Sequence, residues 1–190
     1  MLNLKESLEY LEGLPLADYE VIDSKDLDKK KIDKLGYPCW LKISSSEHKA
    51  KLGGVIKCSS FEDLILKVKG LSTKFEFPFI LQKDSKGIEI MLGVKQDATF
   101  GKVLVFGFGG GDVERIKDLA FLVCPTDRDE ISKTFQELKV YKMLKEKNYL
   151  TKELFSLIEK VSELNIKEAD FNPIIVNDKE VKIVDARIEV

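Results

Sequence analysis

The sequence has few of the residues from which many active sites are built. It holds one histidine, one tryptophan and three cysteines in 190 residues. Cys39, Cys58 and Cys124 are odd in number and widely spaced, and no CxxC occurs. A structural zinc site needs about four ligands, and the lone His48 is near no cysteine in sequence. Free thiols in a reducing, cytoplasmic setting are therefore the expectation. No apolar run approaches the roughly 18 residues of a membrane span. The opening Met1-Leu2-Asn3-Leu4-Lys5-Glu6 is charged early and reads as no secretory leader. Charge of one sign is also missing. The net charge of -2 gives no basic face for nucleic acid, and Asp28-Lys29-Lys30-Lys31 reads as a solvated helix face.

What is present describes a globular chain, 44% apolar and 34% charged. Its length suits one domain or two tightly joined lobes, given domains of about 100–200 residues. Periodicity predicts short helices over 3–12, closed by Gly13 and Pro15, and over 24–34, ended by Gly36. Strands are expected at Tyr37–Ile43 and Val55–Cys58. Ser59 and Glu62 fit a capping box for a helix carrying Phe61, Leu64, Ile65, Val68 and Leu71 on one face. Further strands are expected at 78–82, 88–95 and 102–106. One helix should follow Thr126-Asp127, with Ile131, Phe135, Leu138 and Tyr141, and another should follow a Thr151 cap. A hairpin of 171–176 and 181–190, turned at Asn177-Asp178, ends the chain. Mixed helices, strands and hairpins make the class α+β with largely antiparallel sheets.

Four features could carry chemistry. Strand 102–106 runs into Gly107-Phe108-Gly109-Gly110-Gly111. Such glycines serve either a structural turn or close backbone approach to a phosphate, and the run is neither a Walker A motif nor a clean GxGxxG. Lys42 stands in an apolar strand, so it points either to solvent or into a cleft toward an anion. His48, in a polar loop with Glu47, Lys49 and Lys51, is either a bystander or a nucleophile and proton carrier. Glu168, Asp170 and Asn172 alternate along one strand, and Asp185 lies on its hairpin partner. These oxygens make either a polar-edged hairpin or ligands for Mg²⁺, which takes one or two carboxylates plus phosphate oxygens.

Taken in order, several segments resemble the ATP-grasp β subunit of NDP-forming (ADP-forming) acyl-CoA synthetases. They are Gly36-Tyr37-Pro38, Leu41-Lys42-Ile43, His48-Lys49, Gly53-Gly54-Val55, Glu89-Ile90 with Leu92-Gly93-Val94, Phe100-Gly101, Val105 to Gly110, and Val113-Glu114. Lys117-Asp118, Pro125, Asp170-Phe171-Asn172-Pro173 and Asp185-Ala186-Arg187-Ile188 complete the set over nearly the whole chain. The resemblance implies a single ATP-grasp domain over 1–190, two α+β lobes clamping ATP or ADP, with 18–84 as the small lobe and 1–17 plus 85–190 as the larger. It implies the reaction acyl-CoA + ADP + phosphate ⇌ acid + CoA + ATP, completed by a separate CoA-binding α subunit with a phosphorylated histidine. It casts His48 as a phosphoryl relay and Arg187 as facing the phosphoryl group. Lys42, Gly53, Gly54, Gln82, Glu89, Gly107, Gly109 and Gly110 would hold nucleotide, and Asn172, Asp185 and Asp170 would hold Mg²⁺. The chain departs from the pattern at Ile88 and Leu122, where the family usually has arginine, at Ala50-Lys51, and across Lys145–Tyr149. Those departures set the alternative, a non-catalytic nucleotide-binding or regulatory subunit.

Overall fold

The computed structural model describes residues 1–45, 52–112 and 116–190. Contacts divide the chain into two compact units. One comprises 2–12 and 17–85; the other comprises residue 1, 13–16 and 86–190.

The first unit holds a four-stranded antiparallel sheet in the order β1 (Tyr19–Ile22), β4 (Phe79–Lys83), β2 (Cys39–Ile43), β3 (Val55–Cys58). Its helices are α1 (Leu4–Tyr10), α2 (Lys29–Leu35) and α3 (Phe61–Leu71). The period of two decides the faces. Cys39, Leu41 and Ile43 of β2, with Phe79 and Leu81 of β4, enter one core with Ile32 of α2 and Leu64, Val68 and Leu71 of α3. The helical spacing of those last three is what puts them on one stripe. Burial of each large apolar side chain stabilises by roughly 1.5–3 kcal/mol.

The second unit is built on the order β10 (Arg187–Glu189), β8 (Glu168–Val176), β5 (Ile88–Asp97), β6 (Gly101–Phe108), β7 (Leu119–Val123), with β9 (Val181–Ile183) also on β8. All its strand pairs are antiparallel. Helices α4 (Arg128–Gln136), α5 (Lys139–Glu146) and α6 (Thr151–Glu163) supply its other layer. Phe106 of β6 stacks on Phe135 of α4 at 5.4 Å between ring centroids, and Phe135 meets Phe155 of α6 at the same distance. On its other, more accessible face Val103 and Val105 are half-buried and Phe121 and Val123 exposed.

Several expectations need correction. Residues 2–12, assigned above to the larger lobe, belong to the compact unit of 17–85; Lys5 N–H donates to Ser44 Oγ at 3.0 Å, and Ser44 Oγ to Asn3 Oδ1 at 2.9 Å. The α3 cap is one residue later than read. Ser60 Oγ accepts from Asp63 N–H at 3.2 Å, and the Asp63 carboxylate reaches back to Ser59 N–H at 2.8 Å. The single helix after Asp127 is two, because the turn Glu137-Leu138 starts a new one whose first amides need a different cap. Thr151 is the first helical residue rather than the cap, which is Leu150. Strands β1 and β7 were not anticipated.

Candidate functional site

The second unit assembles most of the predicted residues. In β8 and β10, Asp170 pairs with Arg187, while in β8 and β9 Ile174 pairs with Ile183. Both pairs keep one register, so Asn172 and Asp185 stand opposite each other between them, and Val184 N–H donates to Pro173 O at 3.1 Å alongside. Phe171 and Ala186 are fully buried, whereas Asp170, Asn172, Asp185 and Arg187 are half-buried on the opposite, open face. Two carboxylates, an amide and a guanidinium thus come together on one stretch of the hairpin, where β8 shifts register against β5 between Phe171 and Ile174.

The glycine loop reaches this surface. Gly110 N–H donates to Asn172 Oδ1 at 2.7 Å, and Gly109 N–H donates to Glu89 O at 2.7 Å. The loop's glycines are demanded by close approach. A Cβ on Gly109 would strike the Ile90 backbone, and one on Gly107 would strike the carbonyl of Asp118. Gly110 has φ +77, and a Cβ there would strike the Glu89 carboxylate, which therefore lies against the loop. Gly111 has open space around it. Phe108 N–H donates to Asp118 O at 3.0 Å. The Asp118 carboxylate in turn accepts from Lys139 N–H at 3.0 Å and Val140 N–H at 2.8 Å, satisfying the first amides of α5. Loop, β5, β8 and α5 are thereby tied together.

The first unit places Lys42 and Gln82 together. Lys42 Nζ donates to Gln82 Oε1 at 2.6 Å. Lys42 is 5% exposed and Gln82 1%. Gln82 Nε2 is buried and has no hydrogen-bond acceptor among the described residues. Both side chains leave the sheet on the face opposite the core of α2 and α3, since they alternate with Leu41 and Leu81. Gly53 and Gly54 enter the hairpin of β2 and β3: Gly54 O accepts from Ile43 N–H at 2.9 Å, and a Cβ on Gly54 would strike the Ile43 side chain. His48 lies outside the described residues.

Sequence reasoning missed a cluster beside Lys42. Trp40 Nε1 donates to Asp84 Oδ1 at 2.6 Å, and Lys57 Nζ reaches Asp84 Oδ2 at 3.1 Å while lying 5.1 Å from the Trp40 ring centroid. The single tryptophan was its only sequence signal. Asp118 was also missed as the loop's anchor; its place just beyond the glycines was the clue. Cys39, Cys58 and Cys124 are free thiols. Among the described residues no helix is long and apolar enough to cross a membrane.

Two sheet-bearing units, with a buried lysine in one and an oxygen-rich hairpin under a glycine loop in the other, define an ATP-grasp fold. The chain belongs to that family: the ATP-grasp domain model matches residues 2–190. It is a homologue of ADP-forming acetate–CoA ligase β subunits. It is 31% identical to the β subunit of ligase I of Pyrococcus furiosus, covering 97% of this chain and 88% of that one. It is equally identical, over 97% of its length, to ADP-forming acetate–CoA ligase II of Archaeoglobus fulgidus, of which it spans 30%. Among solved structures, PH1788 of Pyrococcus horikoshii matches with a TM-score of 0.85 at 29% identity, covering 100% of this chain and 90% of that one. Acetyl-coenzyme A synthetase 1 of Ca. Korarchaeum cryptofilum matches at 0.78 and 26%, covering 98% and 91%. That structure holds coenzyme A and Mg-AMPPCP, with its phosphohistidine segment pointing towards the nucleotide-binding site.

Proposed function

We propose that this chain is the nucleotide-binding, phosphoryl-transferring subunit of an ADP-forming acyl-CoA synthetase, working with a CoA-binding α subunit. The observation that carries the reading is the hydrogen bond from Gly110 to Asn172, opposite Asp185, which joins a phosphate-type glycine loop to a set of hard oxygen donors. Phosphoryl transfer asks chiefly for positioning and for neutralisation of charge on the phosphoryl oxygens. Lys42 supplies a cation in the first unit, and Arg187 and the loop amides supply donors in the second. In the direction of ATP synthesis, an N–P bond to imidazole breaks and an O–P bond to the terminal phosphate of ADP forms. His48 is the relay imidazole in this reading.

The hairpin suits Mg²⁺. Asn172 Oδ1 accepts one hydrogen bond, and an amide oxygen has a second lone pair. Asp185 adds a carboxylate, with Asp170 one pair further along. One or two such ligands plus nucleotide phosphates match the coordination Mg²⁺ prefers, and the ion would offset phosphate charge. Asp185→Asn should lower MgADP affinity by about tenfold or more, on the scale of losing one charged ligand, while leaving the melting temperature near that of the parent. Unchanged affinity by isothermal titration would remove Asp185 from the site.

A second reading, nucleotide binding without transfer, draws on Ile88 and Leu122 standing where the family usually has arginine. Transfer of labelled phosphate from ATP to the assembled complex separates the two.

A further inference from the structure

The open sheet face of the second unit continues past the site into an apolar surface. One register row runs Arg187, Asp170, Gly93, Val105, Phe121 across β10, β8, β5, β6 and β7. The next row on the same face is Glu189, Glu168, Lys95, Val103, Val123. The intervening row, with Ile188, Ala169, Val94 and Leu104, is buried on the helical side. The polar end of the open face is therefore the candidate site, and its β6–β7 end is Val103, Val105, Phe121 and Val123, joined by Phe100 from the β5–β6 turn. Phe100 is 63% exposed, Phe121 66% and Val123 46%. They line a shallow cavity of about 420 Å³, rimmed by Lys95 and Asp97. Contiguous exposed aromatics with a polar rim are the anatomy of a protein-binding surface rather than of a bare sheet.

We infer that this apolar end of the sheet is where the α subunit docks. The inference rests on the proposed function and adds the place of contact. One observation and one consequence of the proposed function choose the occupant. The chain spans about 30% of the length of two single-chain relatives from Archaeoglobus fulgidus, so in those the ATP-grasp region is joined to the remaining chain. And the phosphoryl group must arrive on the same open face that carries Asp170 and Asn172. Phe121 lies three strands from Asp170, roughly 14 Å at the usual strand spacing. A partner seated on Phe121 and Val123 would stand within reach of the hairpin without covering it. Phe100 and Phe121 are the anchors, since large aromatics dominate such contacts.

The test uses the full chain, its cognate α subunit co-expressed with it, and three forms of the chain: parent, Phe121→Lys and Phe121→Leu. Complex formation is read by sedimentation, and MgADP binding by titration. Phe121→Lys should weaken association by about 30-fold or more, as a charge at an apolar anchor does. It should leave MgADP affinity and the melting temperature unchanged, and Phe121→Leu should retain the complex. A complex of parental affinity with Phe121→Lys overturns the docking surface while the functional reading stands. Failure of the parent chain to bind any α subunit sinks the functional reading and this surface with it. Self-association of the parent, lost in Phe121→Lys, would give the surface to a second copy and overturn the assignment.

Discussion

A buried polar group without a partner costs free energy, and this chain carries two instructive cases at residue scale. Tyr37 Oη is buried and has no hydrogen-bond partner among the described residues. Burial pushes its pKa up to about 12, helped by Cys39, Asp33 and Glu62 nearby. For such a group the folded state holds the proton more tightly than the unfolded one. The associated stability is present below pH 10 and is lost as pH rises from there through about 12. Tyr37→Phe removes the orphan hydroxyl and the titration together. It should leave stability unchanged or raise it by about 1 kcal/mol at neutral pH, and flatten the alkaline limb of a urea-melt series between about pH 10 and 12. A loss of more than about 1 kcal/mol at pH 7 would show that the hydroxyl is satisfied. Gln82 Nε2 is the other case, and the proposed site gives it an explanation that Tyr37 lacks. An amide donor left without an acceptor beside a buried lysine suits a site whose acceptor is a nucleotide. The sequence could mark Lys42 as anomalous inside an apolar strand. It could not show that Gln82, forty residues on, holds it.

At the scale of elements, the local sequence rules succeeded where one signal dominated. Helical spacing found α3 and α6, and the glycine run marked the end of β6. They failed where tertiary contact decides. Strand β1, Tyr19-Glu20-Val21-Ile22, is short and half-polar, and exists because β4 offers it an edge. Strand β7 was hidden because its Phe121 and Val123 face outward, which destroys the alternation that a half-buried strand shows. The break between α4 and α5 was invisible because Asp118, about twenty residues upstream, supplies the cap. The glycine loop offers a graded test. Gly109→Ala would drive a Cβ into the Ile90 backbone and Gly107→Ala into the Asp118 carbonyl, whereas Gly111→Ala meets nothing. The first two should each cost about 1–3 kcal/mol, the range for overpacking against a fixed neighbour. Gly111→Ala should fall within about 0.5 kcal/mol of the parent. Thermal melts of the three variants check the order, and an equal loss at all three positions would argue against the tight anchoring of 107–110.

For the whole molecule, the resemblance reached further than any local rule, because an ordered set of weak motifs constrains a fold that no single motif does. It gave a metal role to Asn172 and Asp185, which the turn at Asn177-Asp178 had already set on one hairpin, and the common register on either side of Pro173 puts them opposite each other. It also assigned a role to His48, which lies outside the described residues, so that role is tested by chemistry. A histidine with an ordinary pKa near 6.5 is largely neutral at pH 7–8 and can accept a phosphoryl group. The chain alone holds the proposed nucleotide groups but only part of the length of the single-chain ligases it resembles. Purified by itself, it should bind MgADP and show no acyl-CoA-dependent ATP synthesis; addition of the α subunit should restore synthesis. In that complex His48→Ala should lower phosphoryl transfer by at least about 10³-fold, as loss of a covalent relay does. Nucleotide affinity should stay within about twofold of the parent, since binding groups elsewhere are intact. Labelled phosphate from ATP followed onto each subunit reads both steps. In the relay reading, label in the His48→Ala complex stays on the nucleotide. Label reaching the α subunit at the parental rate would show that the group passes directly, and His48 would have no part in the transfer.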